Sequence, residues 1–509
     1  MEATTNAANM TFIPSFSYPF SGRVRRLCPP SHDYAASDTI STPDYVNHLQ
    51  KSPPDYVDYQ HESPPDREGH SAMKRFLMNR LISWKNTAHH KPLLLEGARQ
   101  VGKTWIAREF GRTQYDNIAY VSLFDNPTMG TAFEGSLSVD RLIPALSIES
   151  GTRITPENTL IILDEVQEIP RAMTALKMFN ETAPQYDVLA TGSALGIAMH
   201  PGSAFPVGKV NRLKLYPMTF LEFLYACGQD SLAELLEAQD FTLIDVMHER
   251  LMTWLRYFMY TGGMPEAVST FADAFPNVDF DAIRQVQTAL VQDYRDDFSK
   301  HTDSQPRPVV STLRLNQVWD SLPAQLAREN SKFLYGAVRE GGRGKDFEIA
   351  IQWLVDSSLA LRVKRVSTPM NPLSAYEDGN AFKLYCLDVG LLGAMSGLDV
   401  RTLLDGDALF REFKGALTEQ FVCQQLTTQH GSVPHYWSAE NSSGELDFLY
   451  EQDGQVVPVE VKAGRHKQAK SLIYAQKKYQ YPLAYRYSAT RHSDNDAIKD
   501  MPLYMAGIV

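Results

Sequence analysis

The chain is 509 residues long, too long for one hydrophobic core and enough for about three domains. Its 43% apolar and 21% charged residues fall in the ordinary globular range, which excludes a fibrous or wholly disordered chain. A net charge of −11 gives no general attraction to phosphate backbones, and four scattered cysteines with no C-x-x-C pair argue against a zinc site or a disulfide scaffold.

Residues 1–72 are rich in Pro, Ser, Asp and Tyr, and PDYV at Pro43–Val46 recurs at Pro54–Val57. Little there could form a core, so a disordered leader is expected, with a tyrosine-bearing docking segment as the other reading. No apolar run reaches membrane-spanning length, and the N-terminus lacks a basic patch leading into an apolar stretch. A cytoplasmic protein without a membrane partner is the expectation.

From Lys74 the pattern turns helical, and KPLLLEGARQVGKTWIAREF then reads as a short strand (Pro92–Leu95), a Gly-bounded loop and an amphipathic helix. Further apolar runs at Thr159–Leu163 and Tyr186–Ala190 are read as strands. Strands alternating with helices predict an α/β domain over residues 73–230, a parallel sheet with helices on both faces. After about Pro217 the sequence turns helical at Phe220–Cys227, and a helical region over 231–305 follows with helices at Leu232–Ala238, Ile244–Tyr260 and Asp281–Lys300 around the loop GGMPEA. Over 306–400, helices such as Asp346–Asp356 precede strands Ala360–Val366 and Phe382–Leu387, the pattern of a winged-helix unit. In 401–509 a helix (Leu417–Thr427) leads to strands near His435–Ser438, Glu445–Tyr450 and Val456–Lys462, with Asp453-Gly454 as a hairpin turn.

GARQVGKT (Gly97, Ala98, Arg99, Gln100, Val101, Gly102, Lys103, Thr104) satisfies G-x-x-x-x-G-K-[ST] between a strand and a helix. The glycines let successive N–H groups turn inward onto phosphate oxygens, and the helix N-terminus adds partial positive charge. Lys103 suits the β- and γ-phosphates of ATP, and the Thr104 hydroxyl suits Mg²⁺. TLIILDE sets Asp164 at the end of a buried strand, where it would hold the ion, with Glu165 placed to deprotonate an attacking water. Ser193, past the next strand, either reaches the γ-phosphate or caps a turn. A cation at the γ-phosphate, often from a neighbouring subunit of a homo-oligomer, is expected for such ATPases; Arg212 and Lys209 are candidates for that role or for plain surface charges.

The strings KPLLLEGARQVGKT, TLIILDEVQ, LATGSALG, LYPMTFLEFL, YTGGMPEAV, YRDDFSKH and KLYCLDVGLL together resemble the bacterial and archaeal AAA-type ATPases that carry a C-terminal domain of unknown function. The resemblance spans Met73 to about Ala463. It implies ATP binding and a winged-helix segment; arginine is common in the family where this chain has Lys209, which sets that residue apart.

Glu419, Asp447 in GELDFLY, and Glu460 and Lys462 in PVEVKAG form a second constellation. Period-two geometry puts Glu460 and Lys462 on one strand face, and the hairpin brings Asp447 alongside. This is similar to the PD-(D/E)xK nuclease fold, a restriction-endonuclease-like α/β domain in which a divalent metal activates water against a phosphodiester. An active nuclease and an inert docking module are both consistent with it. Arg339, Arg343 and Lys345, which precede the helix Asp346–Asp356, make DNA a candidate partner, although Asp346, Glu348 and Asp356 on that helix suit a protein contact. The competing functions are an ATP-driven switch coupled to a nuclease-like effector and a nucleotide-controlled scaffold. A small-molecule kinase is less well served, because Glu165 after Asp164 favours water as acceptor.

Overall fold

A computed structural model of the chain describes residues 73–193, 207–303, 311–328, 332–401, 415–439, 444–462, 470–495 and 497–509. The chain divides into two units, Met1–Arg67 and Glu68–Val509, and every described residue belongs to the second. The leader expected over 1–72 lies outside the described residues.

The first sheet is wholly parallel, in the order β2-β3-β4-β1-β5, with β1 Leu93–Gly97, β2 Asn117–Ser122, β3 Thr159–Asp164, β4 Asp187–Ser193 and β5 Asn211–Lys214. LLLEG and TLIILD are buried at every position, as strands covered on both faces require. Successive residues feed opposite layers. Leu93 and Leu95 join the core containing Ile106 and Phe110 of the helix Lys103–Gln114, whereas Leu94 joins the core under the helices Val139–Ser150 and Pro170–Thr182. β4 lies between β1 and β3, so its end separates the phosphate-loop motif from Asp164.

A helical layer follows, opened by Thr219, whose hydroxyl accepts the Glu222 amide while Glu222 accepts the Thr219 amide, a reciprocal cap on Phe220–Ala226. The helix expected over Ile244–Tyr260 is two helices, Phe241–Val246 and His248–Thr261. They are separated at Met247, whose φ of −88° and ψ of 5° lie outside the helical well, with no Gly or Pro to announce the break. Pro265–Ala274 and the long helix Phe280–Asp303 complete the layer.

The second sheet is mixed, in the order β12-β13-β11-β10-β9-β8-β6-β7. Its strands are β6 Ala360–Val366, β7 Glu377–Cys386, β8 His435–Ser438, β9 Glu445–Gln452, β10 Gln455–Val461, β11 Ala484–Ser488, β12 Ser493–Asn495 and β13 Ile498–Pro502. β6 and β7 pair antiparallel, as a wing would. β6 also pairs in parallel with β8 through Arg365–Tyr436 and Val366–Trp437, so the two wing strands continue the C-terminal sheet at its edge. The free hydrogen-bonding edge of a two-stranded wing finds its partner there. The turn at Asp453-Gly454 is as the sequence predicts, with φ of 51° and 75° joining β9 to β10. Among the described residues no helix is long and apolar enough to cross a membrane.

Candidate active site

The phosphate loop leaves β1 at Gly97, where an added Cβ would stand 2.5 Å from the carbonyl oxygen of Leu215, the residue after β5, so only glycine fits. Gly102 has φ of +92°, the left-handed turn that delivers the chain into the helix Lys103–Gln114. Lys103, 5% exposed, donates from Nζ to the carbonyl oxygens of Ala98 at 2.9 Å and Gly97 at 3.4 Å. Burial pushes its ammonium below the ordinary lysine range; Glu165 and Asp164 oppose that, and Arg99 adds to it.

Thr104 Oγ1 donates to Asp164 Oδ2 at 2.9 Å. The same oxygen accepts the Tyr120 hydroxyl at 2.7 Å, and Asp164 Oδ1 accepts the Thr191 hydroxyl. Glu165 follows with φ of +55°, its amide donating to Thr191 Oγ1 at 3.3 Å and its carboxylate accepting from Gln167 Nε2. Ser193 is buried at the end of β4, in register with Gly97. The loop, Asp164, Glu165 and Ser193 therefore gather at the carboxyl ends of adjacent strands, where open α/β sheets bind ligands.

Arg212 and Lys209 are not gathered with them. Arg212 stands in register with Leu94, on the sheet face away from Asp164, and its guanidinium pairs with Glu96 at 2.7 Å. Lys209 Nζ lies 2.9 Å from Glu181 Oε1. Two residues absent from the sequence reading, Tyr120 and Thr191, orient Asp164. Thr191 was findable as a hydroxyl on the strand before Ser193; Tyr120 sits on β2, whose alternation of polar and apolar residues in NIAYVS is the signal that marks it.

The loop is also held from behind. Arg75 donates to the carbonyls of Val101 at 3.0 Å and Tyr216 at 2.6 Å and to Glu222 Oε1 at 3.3 Å, all buried. From the helix Phe280–Asp303, Tyr294 donates its hydroxyl to the Arg99 carbonyl at 2.9 Å, while Arg99 and Gln100 donate to Asp297 and Asp293 at 2.9 and 3.0 Å.

In the C-terminal sheet, Asp447 Oδ2 accepts the Val461 amide at 2.7 Å, and Lys462 Nζ pairs with Glu460 across one strand face. Burial, then repulsion by Glu460 and Glu419, pushes the Asp447 carboxyl well above its ordinary range, and burial raises Glu460. Glu460 is 4% exposed and its Oε2 has no hydrogen-bond donor. Glu419 Oε2 accepts the Tyr385 hydroxyl at 2.8 Å and lies 3.6 Å from Lys383 Nζ, which is 2.5 Å from Glu445 Oε1. Neither Lys383 nor Glu445 was singled out from the sequence. No group of three or more His, Cys, Asp or Glu among the described residues is arranged to hold a metal, which leaves the two-carboxylate arrangement of Asp447 and Glu460. Of the basic residues considered for DNA, Arg339 lies over the Phe347 ring at 5.8 Å, and the Arg343 amide is capped by Asp346 at 3.0 Å.

Residues 89–224 match a family described as an AAA domain. Residues 252–402 and 414–506 match two domains of unknown function, DUF8612 and DUF4143. No curated protein matches the chain. Among solved structures, a Walker-type ATPase of Pyrococcus abyssi is similar at 13% identity and a TM-score of 0.40, over 64% of this chain and 96% of that one. The Aeropyrum pernix ORC1 protein, solved in complex with DNA, is similar at 13% identity and a TM-score of 0.26, over 63% of this chain and 91% of that one.

Proposed function

We propose that this chain, a P-loop ATPase by its AAA domain at residues 89–224, uses ATP hydrolysis to control a C-terminal module that acts on phosphodiesters. The observation that carries the ATPase reading is the 2.9 Å hydrogen bond from Thr104 to Asp164 beside a buried Lys103 ammonium whose hydrogen bonds, among the described residues, go to carbonyls of its own loop. A triphosphate would supply the anionic partner that burial denies to Lys103. Thr104 and Asp164 would hold Mg²⁺, whose charge offsets that developing on the phosphate oxygens.

Glu165 is the residue we assign to take the proton from water as it attacks the γ-phosphorus, with the bond to the β-phosphate oxygen breaking to leave ADP and phosphate. Its amide is fixed by Thr191 and its carboxylate by Gln167, so its direction is set before substrate arrives. Ser193, beside the loop at the end of β4, is suited to hold the γ-phosphate or the water. Lys103→Ala should weaken ATP binding by about 30-fold or more, and Glu165→Gln should keep binding while lowering turnover by about 10²–10⁴-fold. Turnover by Glu165→Gln equal to wild type would remove the assignment.

For the C-terminal module, Glu460 pairs with Lys462 through one oxygen while its buried Oε2 has no donor, and the neighbouring Asp447 carboxyl is raised, so the two acids mark a candidate cation site. Asp447 and Glu460 would hold a divalent metal that polarises a phosphodiester and activates water, and Lys462 would stabilise developing charge. A second reading, a nucleotide-controlled scaffold with an inert docking module, is favoured by Lys383, whose ammonium already pairs with Glu419 and Glu445. Incubation of the full chain with Mn²⁺ and mixed DNA substrates separates the two: cleavage lost in Asp447→Ala supports the first, and equal cleavage by the variant removes it. Stimulation of ATP hydrolysis by DNA would make DNA the partner.

A further inference from the structure

We propose that Arg99 is a γ-phosphate sensor, held off the nucleotide by Asp297 and transferred to the γ-phosphate when ATP binds, an inference that rests on the ATPase reading above. Arg99 lies inside the phosphate loop, yet its guanidinium points to Asp297 on the helix Phe280–Asp303 at 2.9 Å. Asp297 is 7% exposed, so the pair is sheltered from solvent on the acidic side. Arg99 is also close enough to Lys103 to repel its ammonium. One cation of the loop thus faces a carboxylate while standing next to the lysine assigned to the phosphates.

The space between them is tight. Arg99, Ser193, Tyr294, Asp297 and Trp353 line a cavity of about 20 Å³, room for roughly one water and not for a phosphoryl group. A γ-phosphate that reaches Arg99 past Ser193 displaces the Asp297 carboxylate, because the space between them holds no phosphoryl group while the pair is closed. ADP, ending one phosphate earlier, leaves the Arg99–Asp297 pair in place.

The displaced element is large. Tyr294 and Asp293 bind the same loop at Arg99 and Gln100, so three side chains spaced along one face of the helix hold it to the nucleotide site. The same helix packs Phe298 against Trp319 and Trp353, edge-on, with ring centroids 6.1 and 5.2 Å apart. Trp353 belongs to the helix Gly344–Asp356 that leads into β6 of the C-terminal sheet. Transfer of Arg99 to ATP releases an ion pair on the element that joins the two sheets, which makes the nucleotide's third phosphate legible to the C-terminal module.

The test is calorimetric binding of Mg·ATPγS and Mg·ADP to the full chain. Asp297→Asn should raise the ratio of ATPγS to ADP affinity by about 10-fold, and Arg99→Lys, which keeps the charge but shortens its reach, should lower that ratio with ADP affinity nearly unchanged. In hydrogen exchange, ATPγS and not ADP should speed exchange in Phe280–Asp303. Wild-type ratios in both variants, or exchange that does not distinguish the nucleotides, would overturn the sensor. Failure of the wild type to bind either nucleotide would instead overturn the ATPase reading on which it rests.

Discussion

The buried Asp388 carboxylate accepts the Gly263 amide at 2.7 Å, joining two sequence strings 125 residues apart, YTGGMPEAV and KLYCLDVGLL. It also accepts the amides of Gly390 at 2.9 Å and Leu391 at 3.2 Å and the Gln424 side chain at 3.0 Å. An added Cβ at Gly262 would stand 2.1 Å from Asp388 Oδ1, and one at Gly263 would stand 2.1 Å from the Met218 carbonyl oxygen. The double glycine lets the helical layer approach Asp388 and the Met218 backbone closely, and the one carboxylate joins that layer to Gln424 of the C-terminal helix.

Asp388→Ala strands those donors in a dry interior, where each unsatisfied group costs about 1–3 kcal/mol. Urea denaturation should show a loss of about 3 kcal/mol or more, and Asp388→Asn, which keeps one acceptor, a smaller loss. Stability within about 0.5 kcal/mol of wild type in Asp388→Ala would refute this account of the junction.

How far the sequence reaches is seen in such residues. β1, β3 and the phosphate loop were legible because buried parallel strands are continuous apolar runs and the loop needs Gly and Lys at fixed spacing. The β9–β10 turn was legible because Asp-Gly supplies two positive φ angles. β5, with the polar sequence NRLK, carries no strand signal; it forms because the edge of β1 is free to pair with it. The pairing of β6 with β8 was equally silent, since parallel register is fixed by chain entry from distant segments. Of the nucleotide site, every motif residue on β1, β3 and β4 is gathered, and Arg212 is not, because strand alternation turns it to the opposite face.

Thr191 donates to Asp164 and accepts from the Glu165 amide, so one hydroxyl aligns both acidic residues. Thr191→Val keeps the shape and removes the hydroxyl. ATP turnover should fall about tenfold, in line with the loss of about 1–2 kcal/mol of hydrogen bonding at the site, while Thr191→Ser should recover most of it. Steady-state phosphate release measures both, and full activity in Thr191→Val would show that the hydroxyl is idle.

Asp447 and Glu460 bind protons more tightly in the folded chain than unfolded carboxyls do. Their contribution to stability is therefore present at low pH and is lost as pH rises through the raised folded values. Melting of the metal-free chain should weaken over that interval, and Mn²⁺ should restore stability increasingly as pH rises because it replaces the lost protons. Asp447→Asn should flatten both trends. Mn²⁺ stabilisation that is independent of pH and of Asp447 would contradict the two-carboxylate site.

Titration of the full chain with Mg·ATPγS in a calorimeter, beside Lys103→Ala, bears most directly on the nucleotide site. Wild type should bind one nucleotide per chain, and the variant should lose at least about 2 kcal/mol of binding free energy with the removal of a buried ammonium facing phosphate. No heat with the folded wild type, or the same affinity in Lys103→Ala, would contradict the placement of the triphosphate between Gly97 and Thr104.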